Sequence, residues 1–346
     1  MRHFDVDFRD KNGERYQLSK RIAELTEALM ANYFVYDTEV LEGVWFRDGK
    51  FTYEQREEGT WLPFDTEHDT WGYADCYAWM KHSFTVPTRF AGRPVYYQIL
   101  PQEGKKWAWG SPQALLYANG EALQGFDSNH TRTRLLDCAQ GGEHYEMLLN
   151  LYAGGRDYEG KIGTRLRLLS VDDEVEKLYW HLRTPLEVAN LKEPDELARI
   201  HLLQTLNEAV SLVSFHLPYG EDFLESVREA TAYLEKELYG KREMEATVSA
   251  VGHTHIDVAW LWRLRQTRDK TSRSFATVLK LMEEYPDYRF MSSQAQLYEF
   301  IRQEYPAIFA RIRESVRQGR WEPEGGMWVE ADTNLSSGES LVRQFL

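Results

Sequence analysis

Between residues 19 and 30, apolar positions recur at helical spacing, with Ile22, Leu25 and Leu29 on one face, and they predict a short amphipathic helix. From about 43 to 185 the period changes, and runs rich in aromatic and β-branched residues alternate with turn signals. The runs are 77–86, 95–100, 114–123, 145–152 and 177–182. Asn119-Gly120 lies between strand-forming stretches and suits a tight type I′ hairpin, which needs positive φ at both central positions. Short strands at this spacing predict a β-sandwich, jelly-roll-like, over 1–185 together with the short N-terminal helix.

Residues 192–239 return to helical periodicity, with Leu197, Ile200 and Leu203 in one stripe and Phe223, Val227, Leu234 and Leu238 in another. Pro218-Tyr219-Gly220 divides the two stripes, and Gly240 stands where a helix C-terminus favours glycine. This predicts a helical connector over 186–244. A βα rhythm begins at 245. Residues 246–251 form a small-apolar strand, followed by a helix with Phe275, Val278, Leu279 and Met282 on one face. Residues 288–291 are a second strand leading into a helix over 294–301; Pro306 opens another helix, with Phe309, Ile312 and Val316, closed by Gly319. Trp321 starts a third strand, and Ser336 with Glu339 is expected to form a capping box. Repeated βα units imply parallel strands joined by right-handed crossovers, so 245–346 reads as the start of a TIM-like α/β barrel. Three strands cannot close a barrel, and the sequence stops inside the apolar stripe of Leu341, Val342 and Phe345, so a truncated chain is expected. The whole reads as a multidomain protein.

Composition narrows the partners. With 346 residues, 42% of them hydrophobic, there is material for a substantial core, and the formal net charge is −14. Such a surface repels phosphate backbones and anionic lipid, so neither nucleic acid nor a membrane is expected as partner. A neutral ligand such as a sugar is compatible with it, and so is a homo-oligomer. The two cysteines, Cys76 and Cys138, are in no metal-ligand spacing, and no apolar signal region or membrane-length apolar stretch is present. A cytoplasmic protein with free thiols is expected.

The chemistry concentrates in VGHTHIDVAWLW, residues 251–262. On a strand successive side chains point to opposite faces, so His253, His255 and Asp257 are expected to share one face. Two imidazoles and a carboxylate where a barrel strand ends suit a divalent metal, and both donor types suit Zn²⁺. The plainer reading is a polar strand end with hydrogen-bonded histidines. Trp260 and Trp262 offer flat apolar platforms for a sugar ring or else pack in the core. In WEPEGGMWVEADTN, residues 321–334, Glu324, Glu330 and Asp332 gather three carboxylates near the end of the third strand. Paired carboxylates are the usual tools of glycoside hydrolysis, although any single one of these could be merely solvated.

HTHIDVAWLW, followed by EGGMWVEADTNLSSGESLVRQFL, resembles family 38 alpha-mannosidases of the long cytosolic and bacterial branch. The segments WGYAD, YANGEALQGFDSNHT and EHYEMLLNLYAGG resemble the N-terminal β-domain of that branch more loosely. The resemblance implies a seven-stranded barrel and a retaining, metal-dependent glycosidase that removes terminal α-linked mannose from oligosaccharides. It implies one divalent ion per complete site, Zn²⁺ above others, held by His255 and Asp257, with Trp260 lining the sugar subsite. It places His253 close by without touching the ion. The nucleophile and the acid/base are expected beyond Leu346, so the chain alone is expected to be inactive. Two rivals stand beside this reading. An amidohydrolase also carries H-x-H at its first barrel strand but uses both histidines, and the β-domain could act as a carbohydrate-binding module.

Overall fold

A computed structural model describes residues 16–107, 111–155, 161–193, 196–217, 219–239 and 248–346. Helix α1 (Tyr16–Ala28) precedes twelve strands: β1 (Val35–Val40), β2 (Val44–Asp48), β3 (Leu62–Phe64), β4 (Thr70–Trp71), β5 (Tyr77–Thr85), β6 (Val95–Leu100), β7 (Gln113–Ala118), β8 (Glu121–Phe126), β9 (Arg132–Leu136), β10 (His144–Tyr152), β11 (Ile162–Gly163) and β12 (Arg165–Val171). Three helices follow, α2 (Asp173–Asn190), α3 (Leu197–Leu212) and α4 (Glu221–Leu234). The remainder runs β13 (Gly252–His253), α5 (Leu264–Glu284), β14 (Phe290–Met291), α6 (Ala295–Glu304), α7 (Pro306–Arg317), β15 (Trp321–Glu322) and α8 (Gly338–Arg343).

The sandwich consists of two antiparallel sheets, ordered β1-β12-β6-β9 and β3-β2-β5-β10-β7-β8. Strand alternation explains their packing. Met147, Leu149 and Leu151 of β10 point inward with Met80 and Leu116, and they meet Tyr97, Ile99, Leu166 and Leu168 from the other sheet. The β7–β8 hairpin turns at Asn119 and Gly120, whose φ values are +50° and +89°, as its sequence required. Residues on the opposite sheet faces are covered too. Tyr96, Leu169 and Val171 of the four-stranded sheet pack under α1–α4, and Trp79, Leu115 and Tyr117 of the six-stranded sheet pack with Phe275, Ile256 and Trp321. Strands β13, β14 and β15 are parallel and adjacent in that order, with α5 in the first crossover and α6 and α7 in the second.

Several expectations are corrected. Residues 177–182, read as a strand for their aromatic content, lie inside α2. Asp172 caps that helix by accepting from the Glu174 amide, three acids fill its first turn, and Val175, Leu178, Tyr179, Leu182 and Leu186 are buried at helical spacing. These end signals outweigh local β propensity. The strand expected over 246–251 is not formed in its described part, 248–251, where Val248 and Val251 are exposed; the first parallel strand of the described residues begins at Gly252. The cap of α8 is Ser337, which accepts from Ser340 N, while Glu339 pairs with Arg343 instead of reaching back to Ser336. The Ser336 amide is taken by the Asp332 carbonyl. Leu197 is exposed, and Val342 and Phe345 are exposed on α8 and just after it. Pro218, Gly240, Ala246 and Thr247 lie outside the described residues.

Among the described residues no helix is long and apolar enough to cross a membrane. Cys76 is buried and Cys138 exposed, both as free thiols, and burial pushes the Cys76 thiol up to about 11.

Candidate functional site

The site is assembled where the parallel strands give way to loops. His253 ends β13, and its Nδ1 lies 3.1 Å from the Met291 carbonyl, on the neighbouring strand. Beyond it the chain leaves the sheet, so strand alternation does not align the motif. The turn itself brings His255 and Asp257 together, with Nε2 3.2 Å from Oδ1. On the other side of the same imidazole, Nδ1 lies 3.3 Å from Glu330 Oε2. One imidazole therefore stands between two carboxylates that arrive from the ends of the first and third strands.

Glu330 is held in place from below. Its Oε1 accepts from the Ser293 hydroxyl, and its backbone N–H donates to Gln294 Oε1 at 3.3 Å. The other end of the Gln294 amide donates to the Ile256 carbonyl at 2.9 Å. Gln294 is buried and sits at φ +69°, an unfavourable region for a residue with a side chain. The surrounding bonds hold it there, so one amide at the end of β14 ties together the loops after β13 and β15. Asp332 is not drawn in. Its carboxylate accepts from Asn334 N at 2.7 Å and Leu335 N at 2.9 Å, within its own turn. Glu324 is exposed in the segment after β15.

The tryptophans divide their roles. Trp262 donates to Thr267 Oγ1 at 2.9 Å, and Thr267 donates to the Asp257 carbonyl at 3.0 Å, which pins the loop to the first turn of α5. Trp260 is 66% exposed and meets Trp262 edge to face, with ring centroids 5.7 Å apart. It is not core packing: its ring stands largely open to solvent, three residues after Asp257.

Among the described residues no group of three or more His, Cys, Asp or Glu side chains converges on one point. The donor set offers two groups on one side, His255 Nε2 and Asp257 Oδ1. Their chemistry suits a divalent cation, with Glu330 facing the opposite ring nitrogen. Ser293, Gln294 and Thr267 escaped sequence reasoning. The polar run Ser292-Ser293-Gln294 at a strand end was the available signal, because loops after parallel strands are where sites form.

The comparisons bear on this geometry. Residues 245–346 match the Glycosyl hydrolases family 38 N-terminal domain. The chain is 30% identical over 289 residues to "Alpha-mannosidase G" of Dictyostelium discoideum, covering 78% of this chain and 25% of that protein. It is 31% identical over 298 residues to "Alpha-mannosidase 2C1" of Homo sapiens, covering 80% of this chain and 27% of that protein. The chain thus spans about a quarter of the length of these curated relatives. A solved β-glucuronidase from Ruminococcus gnavus covers 40% of the chain at 9% identity with a TM-score of 0.27, too slight a likeness to carry an argument. The domain match falls on the site-bearing segment and the similarity to the alpha-mannosidases extends across the sandwich, so residues 245–346 carry the N-terminal domain of glycosyl hydrolase family 38.

Proposed function

We propose that this chain supplies one wall of a metal-dependent, retaining α-mannosidase that hydrolyses terminal α-linked mannose in oligosaccharides. The observation that carries the reading is His255 between Asp257 and Glu330. A histidine that ligates a metal through one ring nitrogen ordinarily donates its other N–H to a carboxylate, which fixes tautomer and ring orientation. Glu330 stands in the place of that carboxylate, leaving Nε2 beside Asp257 for the ion. A divalent cation there, Zn²⁺ by donor chemistry, would serve as template and Lewis acid for sugar hydroxyls. Trp260 offers the sugar an apolar platform, and His253, bonded to the Met291 carbonyl, does not touch the ion.

The order β13-β14-β15, parallel and linked through helices, supports a barrel completed by further strands. The nucleophile and the acid/base are proposed to come with those strands, since retaining hydrolysis needs two carboxyl groups about 5–5.5 Å apart around the anomeric carbon. The use of both histidines on one ion, as an amidohydrolase requires, finds no support in the orientation of His253. The acidic surface and free thiols favour a cytoplasmic location.

The test is turnover of an aryl α-mannoside by the complete gene product, with product configuration followed by NMR. Retention, loss of activity on chelation, recovery with zinc or cobalt, and loss in Asp257→Ala are the expected results. The 346-residue chain alone is expected to show no turnover and weak Zn²⁺ binding by calorimetry. Tight binding that survives His255→Ala would sink the metal assignment, and inversion of configuration would sink the mechanism.

A further inference from the structure

One end of the contact between the sandwich and α5 lies directly behind the site loop. Asp75, between β4 and β5, sits at φ +62° with its amide bonded to the Gly154 carbonyl at 2.8 Å. Both carboxylate oxygens are occupied by groups of the α5 start. Oδ2 accepts from Arg263 at 3.1 Å and from Arg265. Oδ1 accepts from the Tyr152 hydroxyl at 2.9 Å and from Gln266 at 3.3 Å, and Gln266 also donates to Tyr152 Oη. Gln266 Oε1 in turn accepts the Arg263 amide at 2.6 Å, closing the first turn of the helix. The next residue is Thr267, which holds Trp262 and the Asp257 carbonyl. A single acidic side chain of the sandwich is thereby joined, through one helical turn, to the loop that carries His255, Asp257 and Trp260.

We propose that Asp75 is a positioning residue for that loop, so that the β-sandwich sets the geometry of the metal and sugar subsite without touching either. The physical ground is the arrangement of charge. Two guanidinium groups close together on one turn repel, and a carboxylate that accepts from both offsets that repulsion and holds them to the sandwich. With the charge removed, the first turn of α5 loses its anchor, and Thr267 no longer fixes the loop. Arg263 occupies the N-cap position and its side chain has no acceptor for the N–H groups of the first turn, so the only side-chain capping bond described there is the one from its own amide to Gln266.

The proposal rests on the mannosidase reading only for its kinetic arm. The experiment uses the complete gene product with Asp75→Asn, Asp75→Glu and the pair Asp75→Asn/Arg265→Gln. Amide hydrogen exchange over residues 254–267 should speed up roughly tenfold in Asp75→Asn, the equivalent of one charge-assisted hydrogen bond, while β5–β10 protection stays at the wild-type level. KM for the aryl mannoside should rise by a similar factor with a smaller change in kcat, and Asp75→Glu should restore part of both. The double variant should be no worse than Asp75→Asn, because one interaction is lost once. Unchanged exchange over 254–267, or equal loosening of the whole sandwich, overturns the proposal. If the wild type turns over no mannoside, the functional reading fails while the exchange result still decides the role of Asp75.

Discussion

Inside the sandwich, His82 shares one hydrogen bond with Tyr97 Oη at 2.9 Å, and its Nδ1 has no partner among the described residues. Burial drives its pKa down to about 3 from the ordinary 6.5. The unfolded chain takes up a proton near pH 6.5, and the folded one does not until near pH 3, so protonation favours the unfolded state throughout that interval. The stability that depends on a neutral imidazole is complete above pH 6.5 and falls as pH drops towards 3, by about 1.4 kcal/mol per pH unit. His82→Gln keeps an amide for Tyr97 but cannot titrate, so its melting temperature should decline less steeply between about pH 6 and 4. Parallel declines for the two proteins would show that another group governs the acid limb. At this scale the sequence was informative about type and less so about placement. His255 and Asp257 were legible as a donor pair from their spacing, yet a turn rather than a strand brings them together. Glu330 and Asp332 looked equivalent on paper. The structure separates them because Asp332 closes its own turn, whereas Glu330 is aimed by Ser293 and Gln294.

Helix α5 shows what periodicity can and cannot reveal. Its apolar face, Phe275, Val278, Leu279 and Met282, was readable and is buried. Its other face, Gln266, Asp269, Arg273 and Thr277, has the polarity of a solvated barrel exterior, yet it meets the six-stranded sheet. Gln266 bonds Tyr152, Asp269 accepts from Tyr77 at 2.7 Å, Arg273 bonds Gln113, and Thr277 accepts from the Gly125 amide at 3.1 Å. Residues three and four apart on a helix lie along one line, so these contacts form a continuous polar seam. No hydrophobic pattern announces such a seam, because each partner is a polar group in a distant strand. Gly125 is where the seam is tightest, since a Cβ there would stand 2.8 Å from both the Arg273 Cβ and its carbonyl oxygen. Gly125→Ala should therefore lower stability by about 1–3 kcal/mol in denaturant unfolding, as overpacking does. A neutral result would mean that α5 can draw back from β8 without cost.

The molecule is layered: helices α1–α4, the four-stranded sheet, the six-stranded sheet, α5, and then the parallel strands. The six-stranded sheet lends Trp79, Leu115 and Tyr117 to the same buried cluster as Phe275 and Trp321, so the sandwich and the site-bearing segment share a core. Phe275 is fully buried with its ring 5.0 Å from that of Trp321. Phe275→Ala should cost about 3–5 kcal/mol and lower hydrogen-exchange protection in β5, β7 and α5 together. Protection in α2–α4, whose core is separate, should change little; loosening confined to α5 would argue against a shared core. The layer order was partly legible, since the switches of hydrophobic period marked the sandwich, the helices and the βα segment. Which face of each sheet received which neighbour was not, because both faces of β5 and β12 are apolar enough to be covered. The polar seam along α5 carries a consequence for recombination. Its four contacts are specific pairings between two stretches of chain more than a hundred residues apart, so a sandwich taken from one relative can be joined to the βα segment of another only where those pairs agree. In libraries of such chimeras, survivors should retain matched identities at 77/269, 113/273, 125/277 and 152/266, as they should at the Asp75 contacts and in the shared core, whereas exposed positions away from this face are free to come from either parent.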